Sequence, residues 1–153
     1  MERTPSTRYS RAGGLAALGG SMLVVASMFL PWVDHGGGTT VDYWHLSSVE
    51  GVQTDQGTYG LSLTLVPLLL LWCALFFALR CHETRMAWAF GGFAGAMMLY
   101  GGDLRISEDL PASALGLGEL TAAVGLLILA AGCVAALAAN IGEPAPRAVR
   151  PQH

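Results

Sequence analysis

The sequence carries little charge and contains no lysine. Only 12% of its 153 residues are charged, and the eight residues of the Lys and Arg class are all arginines. Soluble domains carry roughly 25% charged residues, so this chain falls far below that norm. Hydrophobic residues make up 53% of the sequence, which excludes a disordered chain. The scarcity of charge argues equally against a soluble enzyme and against a nucleic-acid-binding protein, which needs a basic surface for phosphates.

Four long stretches contain no charged residue at all. These runs are 12–33, 56–79, 86–102 and 120–142. A helix needs roughly 20 mostly apolar residues to cross a bilayer, so the runs predict an all-α membrane protein that forms a four-transmembrane-helix bundle. The predicted spans are 12–33, 59–79, 86–106 and 117–142. The predicted domains are an N-terminal tail 1–11, a transmembrane domain 12–142 with an outer loop 34–58, and a C-terminal tail 143–153 rich in Pro and Arg.

The arginines indicate an orientation for these spans. Basic residues of membrane proteins concentrate in cytoplasmic segments. Seven of the eight arginines fall in the two tails or in the short turn after the second span, and only Arg105 falls on the other side, at the outer end of the third span. The distribution predicts that both termini are cytoplasmic and that the protein is a multi-pass protein of the plasma (inner) membrane.

No catalytic, cofactor or metal motif is apparent. The three cysteines avoid the predicted outer loops, which excludes an external disulfide framework. The outer loop contains residue types that bind metals, but these show no ligand spacing: Asp34, His35, Asp42, His45 and Glu50. Within the same loop the β-branched and aromatic stretch 39–46 predicts a short strand or hairpin. We therefore predict a non-enzymatic protein without cofactor or metal.

Small residues recur four apart in three of the predicted spans. Helices in a membrane associate through the close backbone approach that such residues allow. The predicted helix-packing residues are Gly13, Ala17 and Ser21 in the first span, Ala87, Gly91 and Gly95 in the third, and Ala131, Gly132, Ala135 and Ala136 in the fourth. Two interpretations stay open: packing inside the bundle, or an interface with a second copy or another membrane protein.

One acid stands apart at the start of the last span. Glu119 is the only charged residue between Leu110 and the end of that span. A carboxylate is favoured at a helix N-terminus by the helix dipole, which accounts for Glu119 without any function. The alternative hypothesis is an ion pair with Arg105 across the outer ends of the third and fourth spans.

Two short motifs carry a family resemblance. Phe29-Leu30-Pro31-Trp32 ends the first span, and Gly116-Leu117-Gly118 enters the last. With the arginine-only basic set, the chain resembles uncharacterised small four-span integral membrane proteins of actinobacteria. The resemblance implies a plasma-membrane location and supplies no activity. We expect an accessory or scaffold component whose partners are the lipid bilayer and other membrane proteins or a second copy, with no nucleic acid. The alternative is an oligomeric transporter or channel for a small solute.

Overall fold

The structure, a computed structural model, describes residues 5–34, 40–48, 58–109 and 116–141. Of these residues 85% are helical. The elements in chain order are α1 (Pro5–Ser27), β1 (Pro31–Asp34), β2 (Thr40–Asp42), a 3₁₀ helix (Tyr43–Ser48), α2 (Thr58–Leu75), α3 (His82–Asp109) and α4 (Leu117–Ile141). The predicted C-terminal tail 143–153, and positions 35–39 and 49–57 of the predicted outer loop, lie outside the described residues.

The predicted fold class, a bundle of four transmembrane helices, is wrong. Among the described residues, α4 is the one helix that is long and apolar enough to cross a membrane. The apolar part of α2, Ser62–Leu75, is shorter. The predicted orientation with both termini in the cytoplasm assumed four spans and loses its basis with them. What remains is the coarser indication, from the length and composition of α4, that the protein associates with a membrane.

The length of a charge-free run overestimates how much of a helix is apolar, and this explains why four transmembrane helices were predicted. Helix α1 begins at Pro5, inside the predicted tail, and so includes Arg8 and Arg11. Helix α3 begins at His82 and runs to Asp109, with charged residues near both ends. Glycines and alanines fill much of both helices, and each offers less apolar surface than a leucine. A run without charges is therefore not the same as a run that lipid tails would solvate.

Helices α1 and α4 make the most extensive contact between elements, and α3 packs against α4 next. Glycines allow this close approach. A Cβ atom on Gly20 would overlap the backbone nitrogen of Leu129, and one on Gly132 would overlap the backbone nitrogen of Ala17. At both positions the neighbour is backbone, which cannot move aside as a side chain can. Only glycine therefore fits this α1–α4 seam without separating the helices.

A short β-hairpin follows α1. Strands β1 and β2 pair antiparallel, with Val33 opposite Val41 and a bulge between Pro31 and Val33. Strand β2 lies within the stretch 39–46 for which the sequence predicts a strand or hairpin. Its partner β1 comes from residues that the sequence assigned to the end of the first span. Pro31 has no backbone N–H to continue a helix, and α1 ends at Ser27, four residues before it.

The core is shared by all the elements. The largest side chains that are almost completely buried are Trp88, Leu46 and Leu129, which come from α3, the 3₁₀ helix and α4. Helices α2 and α3 are joined by two reciprocal hydrogen bonds. The indole nitrogen of Trp88 donates to the carbonyl of Trp72 (2.6 Å), and that of Trp72 donates to the carbonyl of Trp88 (3.0 Å).

Candidate functional site: an acidic pocket and an apolar exterior

The small residues predicted for helix packing have three kinds of surroundings. At the α1–α4 contact the structure buries Gly13, Ala17, Gly132 and Ala136, and Ser21 is buried further along the same face of α1. On α3, Gly91 lies beside the ring of Trp72 and Gly95 beside Leu69, both of α2. The remaining three are exposed, namely Ala87, Ala131 and Ala135. The structure thus brings the predicted residues of α1 together with Gly132 and Ala136 of α4, while those of α3 face α2 or lie on the surface.

A buried acid lies where α3 meets α4 and the hairpin. Asp103 of α3 is only 9% exposed, which is uncommon for an aspartate. It lines a cavity of about 30 Å³ to which all four α-helices, β1 and the 3₁₀ helix contribute. Most of the wall is apolar, and its polar side chains besides Asp103 are Ser27, Trp32, Tyr43 and Ser62. A cavity of this size holds about one or two water molecules.

The surroundings of Asp103 favour its neutral form. Burial raises the pKa of Asp103 from 3.8 to about 7, and the charge of Glu119 on α4 adds to the increase. Both causes act in the same direction, because burial penalises the carboxylate and a nearby carboxylate repels it. Near neutral pH the site therefore exchanges a proton, and the protonated carboxyl can donate a hydrogen bond as well as accept one.

The hairpin closes this pocket through Trp32. The indole nitrogen of Trp32 donates to the carbonyl of Ser27 (2.8 Å), and its ring packs edge-on against Tyr43, with 4.7 Å between centroids. The carbonyl of Trp32 accepts a hydrogen bond from the backbone N–H of Gly116 (2.8 Å). Gly118, in the first turn of α4, is buried against the same indole ring, with no room for a Cβ. The start of α4 is thereby fixed to the hairpin directly beside Asp103 and Glu119.

The predicted ion pair between Arg105 and Glu119 stays a prediction. Arg105 is exposed on α3, and Glu119 is half-buried in the first turn of α4. The electrostatic neighbour that the structure gives Glu119 is the carboxyl of Asp103. The acid at the start of α4 therefore acts on a second acid.

Sequence reasoning missed Asp103, although the chain carries a signal for it. Ala89, Gly92, Ala96 and Leu99 are buried positions of α3. Their spacing of three and four residues defines one face of the helix, and the next position on that face is Asp103. An acidic residue at the helical spacing of a buried face is predicted to lie inside the protein. The charge count instead treated Asp103 as the residue that ends a span.

The opposite end of the molecule is held by polar contacts of a structural kind. Nε2 of His82, at the start of α3, donates to the carbonyl of Asn140 at the end of α4 (2.6 Å). The side-chain amide of Asn140 donates in turn to the carbonyl of Ala136 (2.7 Å). The bond from His82 satisfies the carbonyl of Asn140, which lies in the last turn of α4 and has no partner within the helix.

The metal-binding residue types of the predicted outer loop are only partly described. His45 and Asp42 form an exposed pair at the start of the 3₁₀ helix, with 2.5 Å between Nδ1 and Oδ1. His35 and Glu50 lie outside the described residues. Across the part of the chain that is described, no three His, Cys, Asp or Glu side chains come together as a metal site.

The exterior of the helices is unusually apolar. Large apolar side chains more than half exposed occur on all four α-helices, and include Leu15, Met22, Leu68, Leu71, Phe90, Met98, Leu120 and Leu127. In α4 the buried positions are mostly small, whereas the exposed ones carry Leu, Ile and Val. Soluble proteins normally place large apolar side chains inside, and contiguous exposed apolar surface indicates contact with a membrane or another protein.

Comparison with known proteins gives no assignment. No protein-family model matches the chain, and no curated protein or solved structure is significantly similar to it. The resemblance to four-span proteins of actinobacteria is thus left as a prediction from two short motifs.

Proposed function

We propose that the protein is a small non-enzymatic membrane protein that serves as an accessory or scaffold component of a membrane complex. Its location in the plasma membrane is the one that the actinobacterial resemblance implies. Helix α4 would lie in the bilayer, and the exposed apolar side chains of the other helices would contact lipid or neighbouring proteins beside it. Its role would be to hold partners by lateral helix contacts.

The arrangement of α4 is the observation that carries the proposal. Its buried face includes Gly118, Gly125 and Gly132, while Leu120 and Leu127 are 63% and 64% exposed. Small residues on the packed face allow helices to associate within a lipid bilayer. Lipid tails are as apolar as the side chains, so helix association there depends on close backbone contact and not on the hydrophobic effect. Large apolar side chains on the other face are stable when lipid tails or a partner helix cover them.

Photocrosslinking tests the scaffold role directly. Leu120, Leu127 and Val134 are seven residues apart on one exposed stripe of α4. A photoreactive amino acid at each position, activated in native membranes, should give one protein adduct of the same mass at all three. The same group at exposed Thr84, near the start of α3, is the control and should not give that adduct. Lipid adducts alone would leave a membrane protein without a lateral partner and contradict the scaffold proposal.

The alternative function, an oligomeric transporter or channel for a small solute, is favoured by one observation. Asp103 is a buried titratable group, and such groups mark ion and proton pathways when they occur in membrane proteins. Proteoliposomes with an internal pH dye test it. Proton flux that exceeds empty liposomes and disappears in Asp103→Asn would support the transporter. Flux at the background level would remove this alternative and leave the scaffold proposal in place.

A further inference from the structure

The acidic pocket joins three parts of the molecule that are otherwise held by few polar contacts. Asp103 belongs to α3 and Glu119 to α4, while Trp32 of β1 and Tyr43 of the 3₁₀ helix line the same cavity as Asp103. Burial of the Asp103 carboxyl, which is 9% exposed, and the charge of Glu119 both make its neutral form more favourable here than its ionised form. The geometry therefore links the ionisation of one residue to the contact between the hairpin and α4.

We propose that Asp103 is a proton-controlled latch, which holds the hairpin against the start of α4 when protonated and releases it when ionised. In the closed state Trp32 and Tyr43 line the cavity with Asp103. In the released state the hairpin lifts, water enters the cavity, and the hydrogen bond from Gly116 N–H to the carbonyl of Trp32 opens. The inference does not depend on the proposed membrane function, because it rests on contacts within the chain.

Few other groups can change the charge at this pocket. Helix α1 contributes Ser27 and apolar side chains, and α2 contributes Ser62 and Val66. Tyr43 of the 3₁₀ helix contributes a phenol to the cavity wall. Arg105 and Glu108, on the same helix as Asp103, are exposed. Asp42 and His45 line a separate groove on the hairpin. Glu119 is the charged side chain whose effect on the ionisation of Asp103 the structure shows.

The direction of the pH dependence follows from the burial of Asp103. Its pKa is about 7 in the closed state and returns toward 3.8 once water reaches it. The closed state thus binds the proton more tightly, and its stability is greatest at acidic pH. Opening becomes easier by up to about tenfold for each pH unit between about pH 4 and pH 7, and levels off above pH 7.

Hydrogen exchange at the Gly116 amide measures the latch, because this amide closes the contact. In the full-length wild type, its protection factor, corrected for intrinsic exchange, should fall between about pH 5 and pH 7 and then level off. Asp103→Asn should hold its protection within about twofold across the range, since it cannot ionise. Glu119→Gln should move the levelling point to lower pH, because one of the two causes of the raised pKa is gone. Glu108→Gln is the control and should behave as wild type.

Two results would overturn the latch. One is wild-type protection of Gly116 that does not change from pH 5 to pH 8. The other is an Asp103→Asn protein that keeps the wild-type pH dependence. If this variant does not fold, ¹³C carboxyl NMR of the wild type decides the question. An aspartate resonance that titrates near pH 7 and moves to lower pH in Glu119→Gln supports the latch, whereas titration of every aspartate near pH 4 contradicts it.

Discussion

At the scale of single residues, the burial of Asp103 makes the global stability of the protein depend on pH. Its pKa is about 7 in the folded protein and 3.8 is the ordinary value, so the folded state binds the proton more tightly than the unfolded state. The contribution to stability is full below about pH 4 and is lost as the pH rises through 7. The interval between the two pKa values corresponds to on the order of 4 kcal/mol.

Replacing Asp103 with asparagine should therefore stabilise the protein at high pH. The amide is close in shape to the protonated acid and carries no charge at any pH. In chemical denaturation we expect the free energy of unfolding of Asp103→Asn to exceed that of wild type most at pH 8, by less at pH 5, and to match it below about pH 4. Glu108→Gln, exposed on the same helix, should keep the wild-type pH profile. An Asp103→Asn protein that is less stable than wild type at pH 8 would contradict the account.

A second prediction at this scale concerns the indole hydrogen bonds between α2 and α3. Trp72 and Trp44 are similarly exposed, at 39% and 41%, but only Trp72 has a described indole hydrogen bond, to the carbonyl of Trp88. Trp72→Phe should lower the free energy of unfolding by about 1 kcal/mol, the usual contribution of one such bond. Trp44→Phe is the matched control and should change it by less than about half that amount. Equal effects of the two substitutions in thermal unfolding would show that the bond contributes nothing.

At the scale of elements, the contact between α1 and α4 predicts different effects of substitution at two adjacent glycines. A Cβ on Gly20 would meet the backbone of Leu129 and Gly125, whereas a Cβ on Gly19 meets nothing within 4 Å. Gly20→Ala should force the helices apart and cost about 1–3 kcal/mol of stability. Gly19→Ala should stabilise by up to about 1 kcal/mol, because alanine favours the helix. Thermal unfolding of the two variants compares them, and a destabilised Gly19→Ala with an unchanged Gly20→Ala would place the seam elsewhere.

The sequence predicts part of this seam and cannot predict the rest. Gly13 and Ala17 lie four apart, and that spacing places them on one face of α1. It does not say which helix they meet, because small residues also recur on α3 and α4. In α4 small residues fill most of 130–136, so the spacing fits several faces and does not separate exposed Ala131 and Ala135 from buried Gly132 and Ala136. Only the packed structure selects the face.

The hairpin and the acidic pocket illustrate the same limit. Pro31 indicates that a helix must end nearby, and the β-branched stretch after it favours a strand. Neither indicates that Trp32 lines the same cavity as Asp103, about seventy positions further along the chain. A contact between residues so distant depends on how three helices pack, and it has no local pattern. The helical register of α3 marks Asp103 as buried, but its neighbour Glu119 emerges only from tertiary structure.

At the scale of the whole molecule, the question is what covers the exposed apolar side chains. The charge-free runs coincide largely with the α-helices among the described residues, but they do not measure how apolar each helix is. Among the described residues, α4 alone is long and apolar enough to cross a membrane. Its exposed stripe is the surface on which large apolar side chains are favoured in lipid and disfavoured in water. A substitution there reports on the environment more directly than one in the core, because it does not disturb packing.

A lysine on that stripe distinguishes lipid from water. Leu127 is 64% exposed near the middle of α4, and Thr84 is exposed near the start of α3. A lysine at the centre of a membrane helix costs roughly 2.5–3.5 kcal/mol of insertion free energy, whereas a surface lysine in water changes stability by less than about 0.5 kcal/mol. Leu127→Lys should therefore lower the fraction of protein that resists alkaline extraction from membranes, while Thr84→Lys should not. If both variants stay in the membrane fraction as wild type does, α4 lies outside the lipid and a protein partner must cover its exposed stripe.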